Sequence, residues 1–504
     1  MTTPITTDVV VVGCGISGIT TGYHLKTYCP GKKFVILERR EKLGGTWDFF
    51  KYPGIRSDSD MYSFGFNWKK WTANASIATK SEILKYLNNA VDEEGLREYI
   101  HFQTNVTTAS FSTKKQMWTL ETNEGRSYIS KYVMFNTGYY SYEQPYTPDF
   151  KGVDKFKGDF VHPQTWPKDL NYKGKKIVVI GSGATAATLI PALVNGGASS
   201  VTMLQRSPSY FIAREKSRDG DMYSKLKPYL GENIAYYLKR WQSVLFQWLA
   251  FELMQKFKVR AKKFVVGEIR RQCPTDFDVD THFNPSYGVW DQRLCLVPDG
   301  DFFKCLHHGK ANVVTDHVDH LVDNGIKTRN SGEIINADII VSATGLTLQK
   351  NFPMSTIQVD VDGIIYDAPE HYIYNGCMLD NIPNFMFVIG YSNHGWTLKA
   401  DYVAMYFCNI INYMNNHSFG TFCPSSEHIK INENTSLLGL SSGYLMRAQD
   451  RMPKQGIEEP WVVSQNVVKD FWTYKIAKYG PELIFDVVKK TNTEGSVHQI
   501  HSKM

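Results

Sequence analysis

Residues 8–18 read Asp8-Val9-Val10-Val11-Val12-Gly13-Cys14-Gly15-Ile16-Ser17-Gly18, an apolar run that breaks into three spaced glycines. Four β-branched residues in succession suit a parallel strand buried on both faces. Gly13 permits a tight turn, Gly15 lets a pyrophosphate approach the backbone, and Gly18 lets the following helix close on the strand. That helix, ISGITTGYHLKTY, would offer its free N-terminal amides to phosphate, with Ser17 in its first turn. The next strand, FVILE, ends in Glu38, twenty residues beyond Gly18, where a carboxylate suits ribose hydroxyls. The glycines alone would be a weak signal. With strand, helix and acid correctly spaced, they predict a dinucleotide site.

The pattern returns at 175–193, KKIVVIGSGATAATLIPAL, with Gly181, Gly183 and Ala186 in the three key positions and Ser182, Ala184 and Thr185 between them. Its following strand, SVTMLQRS, lacks an acid where Glu38 stood and ends in Gln205-Arg206-Ser207. Arginine suits a 2′-phosphate by charge and by its forked donors, so Arg206 and Ser207 point to NADPH as the second nucleotide. The alternative is a solvated arginine at a strand end. The stretch Gly44-Gly45-Thr46-Trp47, following the first site, favours FAD there over NAD.

At 504 residues and 42% hydrophobic, the chain can bury a large core and hold two or three domains. The net charge of +6, read as spread along the chain, is too small to argue for nucleic acid. Eight cysteines form no C-x-x-C pair and no zinc spacing, so neither a disulfide-reductase centre nor a metal site is expected. The N-terminus enters a strand at once without a basic leader, which reads as a cytoplasmic chain with reduced thiols. Trp241 to Phe257, WQSVLFQWLAFELMQKF, is too short and too polar to span a bilayer. Such a helix usually packs its apolar side on a neighbouring domain, with weak association to a membrane surface as the other reading.

Two further stretches carry a family resemblance. Phe156, Gly158, His162, Trp166 and Pro167 stand in the spacing F-x-G-x-x-x-H-x-x-x-W-P, between the two nucleotide motifs. Gly44 to Asp58, GGTWDFFKYPGIRSD, fits G-G-x-W-x-x-x-x-Y-P-G-x-x-x-D at every fixed position. Both strings resemble the type I Baeyer–Villiger monooxygenases, flavoenzymes that insert an oxygen atom beside a ketone carbonyl. WDQRLCLVPDGDFFK at 290–304, with Gly443-Tyr444, Leu445-Met446-Arg447 and Met452 to Gly456, is similar to the ethionamide-activating subgroup. The resemblance implies FAD and NADPH as cofactors, and O2 with an apolar ketone or sulfide as substrates. It implies that Gly45, Thr46, Trp47, Arg56, Ser57, Asp58 and Val106 join the FAD set. It makes Arg293 the catalytic cation, oriented by Asp58, and links His162 to domain movement. Gln292 departs from the lysine common at that place, which moves the NADPH reading onto Arg206 and Ser207.

The implied fold is α/β, with two Rossmann-like dinucleotide-binding domains. A discontinuous FAD domain, 1–140 plus 341–504, encloses an NADP domain at 141–340, with a helical insertion at about 215–290. The chain would cross between domains at Asn136-Thr137-Gly138 and Ala343-Thr344-Gly345, with the His162 fingerprint in the linker. Pro383 to Gly390 reads as the last FAD-domain strand. A flavin-containing monooxygenase acting on soft nitrogen or sulfur is the alternative activity. A flavin-binding, NADPH-sensing protein without turnover is the non-enzyme reading. Oligomeric state is not legible.

Overall fold

A computed structural model describes residues 3–488 apart from 218, 428, 431–436, 438, 440 and 441; the chain end at 489–504, assigned above to the FAD domain, lies outside the described residues. The first apolar run forms the strand Ile5–Val12, and Val9, Val10 and Val11 are wholly buried. It pairs in parallel with Phe34–Leu37 on one side and Ser127–Phe135 on the other. Phe385–Phe387, read above as the last strand of this sheet, extends it in parallel from Ser127–Phe135. An antiparallel meander, Val106–Ser112 and Met117–Thr122, completes the sheet beside Gln358–Val361. Helices Ile16–Tyr28 and Trp396–His417 pack on one face. The other face buries Phe111, Trp118, Phe135, Phe385 and Phe387.

The second motif builds a five-stranded parallel sheet in the order 311–315, 200–205, 176–180, 339–342, 159–161. Helices Ala184–Asn195 and Lys258–Gln272 cover one face, and the ribbon Val318–Val322 with Gly325–Thr328 covers the other. The fingerprint expected in a linker is built into this sheet. Asp159–Val161 is its edge strand, Phe156 packs beneath it, and His162 caps the turn Pro163–Thr165. A parallel partner was available because Ile339–Ser342 carries its neighbour's pairing past the presumed boundary.

Residues 215–290 are largely helical, as Met222–Lys256, Lys258–Gln272 and Val279–Phe283, with a break at Gly231. The charge is not spread as first read. The two long helices hold eleven Lys and Arg against three Glu, so the rest of the chain is slightly acidic in balance. No helix among the described residues is long and apolar enough to cross a membrane.

Candidate active site

Both nucleotide motifs open into one cleft of about 810 Å³. At the first, Gly13 has φ +100°, and a Cβ there would lie 2.5 Å from the Asn136 carbonyl oxygen. A Cβ on Gly18 would stand 1.8 Å from the oxygen of Gly13, so the helix touches the loop directly. Gly183 and Gly15 cap their helices with no side-chain hydrogen bond and no acid in the first turn. The helix Lys80–Glu93 shows the ordinary solution, a full capping box from Thr79 and Glu82. Leaving two helix starts uncapped beside a cleft keeps their amides free for an anion.

Glu38 is buried at the cleft, its Oε2 accepting from the Cys14 amide at 2.8 Å and its Oε1 from the Arg40 amide at 2.9 Å. Burial pushes its carboxyl above the usual range, against the pull of those two amides and of Arg39 and Arg40. Ser17 accepts from the indole N–H of Trp396 at 2.8 Å, and Trp396 stacks on Tyr139. Thr46 pairs with the Tyr142 hydroxyl at 3.1 Å, and Trp47 meets Phe64 edge to face. The loop folds so that a Cβ on Gly45 would reach 3.1 Å from Gly15. Val106 forms part of the cleft wall.

The cleft suits a flavin nucleotide. Its glycine cradle has no room for a side chain at Gly13 or Gly18, and, among the described residues, Asn136, Gln349 and His394 in its wall each hold a buried polar atom without a partner. Burial holds His394 down at about 4, so its ring is neutral.

At the second motif, Gly181 has φ +123° and a Cβ there would lie 2.3 Å from the Ala343 oxygen, whereas Gly183 has open space around it. Ser182 meets the Ser209 hydroxyl at 2.9 Å. Ala184 and Thr185 face the cleft, and Ala186 lies wholly buried behind them. Arg206 and Ser207 are exposed at the cleft rim. Arg447 stands over the Tyr146 ring at 3.5 Å. Burial is the first cause holding its guanidinium below the usual value, and the like charge of Arg206 adds to it. Two cations therefore share one rim.

Asp58 and Arg293, 235 residues apart, meet between the two motifs. Arg293 Nε donates to Asp58 Oδ2 at 2.8 Å and Nη2 donates to Oδ1 at 3.0 Å. The Asp58 carboxylate is the main cause raising the guanidinium further above its already high value, and Tyr139, Tyr140 and Tyr444 add to it. Among the described residues, Nη1 of Arg293 has no partner. Arg56 differs: its fork grips both oxygens of Asp301. Ser57 donates to the Ser59 carbonyl at 2.7 Å. His162 lies at the crossing, where burial holds its ring down against the carbonyls of Gly345 and Tyr146.

Sequence reading gave no site role to Trp396, Tyr139 or Tyr140, and Tyr444 with Leu445-Met446-Arg447 entered only as part of the subgroup resemblance. Tyr139, Tyr140, Tyr142 and Tyr146 lie within eight residues, and that clustering was their signal. Nothing local marks Trp396, which reaches Ser17 from 379 residues away.

Two nucleotide cradles sharing one cleft with a fixed cation define a two-nucleotide flavoprotein. Residues 10–264 match the family model described as pyridine nucleotide-disulphide oxidoreductase. All eight cysteines are free, so what this chain shares with that description is the fold. It is 44% identical to "Probable FAD-binding monooxygenase AlmA" of Acinetobacter baylyi, across 96% of this chain and 97% of that protein. It is 43% identical to "FAD-containing monooxygenase EthA" of Mycobacterium tuberculosis, across 94% and 96%. The chain belongs to the FAD-containing monooxygenases. Among solved structures, an oxidised steroid monooxygenase bound to NADP superposes with a TM-score of 0.76 at 21% identity, over 96% of this chain and all of that one. Cyclohexanone monooxygenase holding ε-caprolactone superposes at 0.68 with 22% identity, over 84% and 90%. At such identities these neighbours speak to the fold, two nucleotide-binding units in α/β architecture.

Proposed function

We propose that this monooxygenase uses FAD and NADPH to insert one atom of O2 beside the carbonyl of an apolar ketone, giving an ester or lactone, with sulfides and thioamides as second substrates. The second oxygen atom leaves as water, reduced by the electron pair of NADPH. The observation that carries the reading is the Asp58–Arg293 pair, set between the two cradles with Nη1 left over. Bound FAD supplies, after reduction, the activation of O2 that side chains lack.

The protein's part is to bind, orient and hold charge. Gly13, Gly15, Gly18 and the amides of the first helix take the FAD pyrophosphate, and Glu38 takes its ribose. Gly45, Thr46, Trp47, Ser57 and Val106 wall the flavin end. Arg56 lines the same cleft, with its fork held by Asp301. Gly181 to Thr185, with Ala186 packed behind them, take the NADPH pyrophosphate, and Arg206 with Ser207 takes its 2′-phosphate. Arg293 stays cationic at every working pH, and Asp58 fixes two of its donors so that the third meets the negative charge growing on oxygen. We divide the chain accordingly, into 1–140 plus 341–504 for FAD and 141–340 for NADPH, the latter including the helices at 215–290.

The test supplies the yellow holoenzyme with NADPH and a series of apolar ketones, and assays ester by gas chromatography. Arg293→Ala should lower ester formation by about 10²–10³-fold, as loss of one preorganised donor does. NADPH should still be consumed, with hydrogen peroxide accumulating. Sulfoxide without ester from any ketone would move the assignment to soft-nucleophile oxidation.

A further inference from the structure

The helix that borders the active site has a second apolar face, and among the described residues nothing covers it. Its inner side is well used. Arg240 donates to the carbonyls of Tyr62 and Gly65, Gln247 reaches Asp60 at 2.7 Å, and Phe251 packs against Trp290, three residues before Arg293. An amphipathic helix so placed should turn polar residues outward. Instead Ile234, Leu238, Trp241, Leu245, Leu249 and Leu253 recur every three or four residues along one outer line, and all are exposed. Phe246 is 68% exposed beside that line. The stripe runs on through Phe257 and Val259 to Phe264 on the next helix. Of the 24 large hydrophobic residues exposed among the described residues, 12 lie between Tyr229 and Phe264.

Charge selects the occupant. These two helices carry eleven basic and three acidic residues in a chain whose whole balance is +6. Lys256, Arg260 and Lys263 stand exposed along the stripe. A symmetric contact between two copies would set the same cations against one another. A water-facing surface would not hold so much aromatic and aliphatic area in one place. Leucine, phenylalanine and tryptophan flanked by lysine is the composition of a helix lying at a bilayer surface, its apolar side among acyl chains and its cations on anionic headgroups. With no helix among the described residues able to cross a membrane, the attachment is interfacial and reversible.

We infer that the outer face of residues 229–264 docks this enzyme on anionic lipid bilayers. The same helix then has lipid on one side and the neighbours of Asp58 and Arg293 on the other, so an apolar substrate dissolved in the membrane enters from the docked side.

The experiment mixes the full-length holoenzyme with vesicles of phosphatidylglycerol and phosphatidylcholine, or of phosphatidylcholine alone, and sediments them. The protein should pellet with the mixed vesicles, bind pure phosphatidylcholine at least about tenfold more weakly, and be released by high salt. Phe246→Ser with Leu249→Ser should weaken binding by at least about tenfold, while FAD content and thermal midpoint stay put because both side chains are exposed. Lys256→Glu with Lys263→Glu offers a second variant at exposed positions, and should abolish the preference for anionic lipid. The inference is overturned if the wild-type stays in solution with both vesicles, or if neither variant changes its binding. It is equally overturned if sedimentation velocity finds a dimer that Phe246→Ser dissociates and no lipid binding, which would make the face a contact between copies. Ester assays in solution are independent of these outcomes, so the reaction assignment and the docking face stand or fall separately.

Discussion

The two nucleotide cradles share a motif and differ in how tightly the protein closes on it. In the first, the glycines at 13 and 18 are locked against backbone oxygens, Glu38 is held by two amides, and the Gly44–Thr46 loop folds over the top. In the second, Gly181 is locked in the same way, but Gly183 has open space, Ala184 is exposed, and Arg206 and Ser207 stand at the rim. A nucleotide in the first is enclosed by structure that must open to release it. One in the second, as proposed, would rest on a surface and be gripped mainly by charge. The difference fits one nucleotide that stays through many turnovers and another that is spent in each.

The sharpest way to break this contrast is to put the same methyl group into both cradles. Gly18→Ala drives a Cβ into the Gly13 oxygen, and the variant should lose FAD and at least about 3 kcal/mol of stability, read by flavin absorbance and denaturant titration. Gly183→Ala meets nothing in the protein and should leave both measurements unchanged, but its methyl stands where a pyrophosphate must approach the backbone, so the Michaelis constant for NADPH should rise. Equal effects from the two would erase the distinction.

Arg206→Ala tests whether charge does the gripping at the second cradle. Losing a charge-assisted hydrogen bond of about 1.5–3 kcal/mol should raise the Michaelis constant for NADPH by roughly 10- to 150-fold. Turnover with NADH should be almost unchanged, because it has no 2′-phosphate, and FAD content should not move. A parallel loss with NADH would place Arg206 on some other part of the nucleotide.

The smallest effect sharpens the first cradle. A ribose hydroxyl donates best to an ionised Glu38, and burial has raised that group's pKa. Protonation therefore begins at a higher pH than the ~4.3 of a free glutamate, and FAD affinity should fall by a few fold as pH drops toward that region. Glu38→Gln should be weaker at neutral pH and lose this acid-side dependence. The sign is the reverse of that for a carboxylate stabilised in its ionised form: here low pH favours the folded apoprotein's protonated acid and disfavours the ligand.

Much of this plan could be read along the chain because the cradles are local. Strand, turn, helix and acid fall within about thirty residues, and backbone geometry dictates where glycine must go. Asp58 and Arg293 were paired only through resemblance, since no local rule joins residues 235 apart. Arg56 entered the cofactor set through its motif and does line the cleft, and only the fold reveals that its fork is also held by Asp301. The outer stripe on Met222–Lys256 was only half legible: Trp241 to Phe257 admits a membrane-surface reading, but packing on a neighbouring domain is the preferred one. Apolar residues on both faces cancel in any periodic signal, so the helix looked like an ordinary packed one.

The bond between Asp58 and Arg293 has one more consequence. In the division proposed above, Asp58 falls on the FAD side and Arg293, its hydrogen-bond partner, on the NADPH side. On that proposal the reactive cation is bolted together from two halves, like a circuit closed by bringing two plates into contact. Any hinge that swings the halves apart to discharge the spent nucleotide must either turn about this bolt or draw it open. If it opens, Arg293 leaves with one plate and its counter-charge stays on the other, and the centre is switched off for as long as the cleft stands wide.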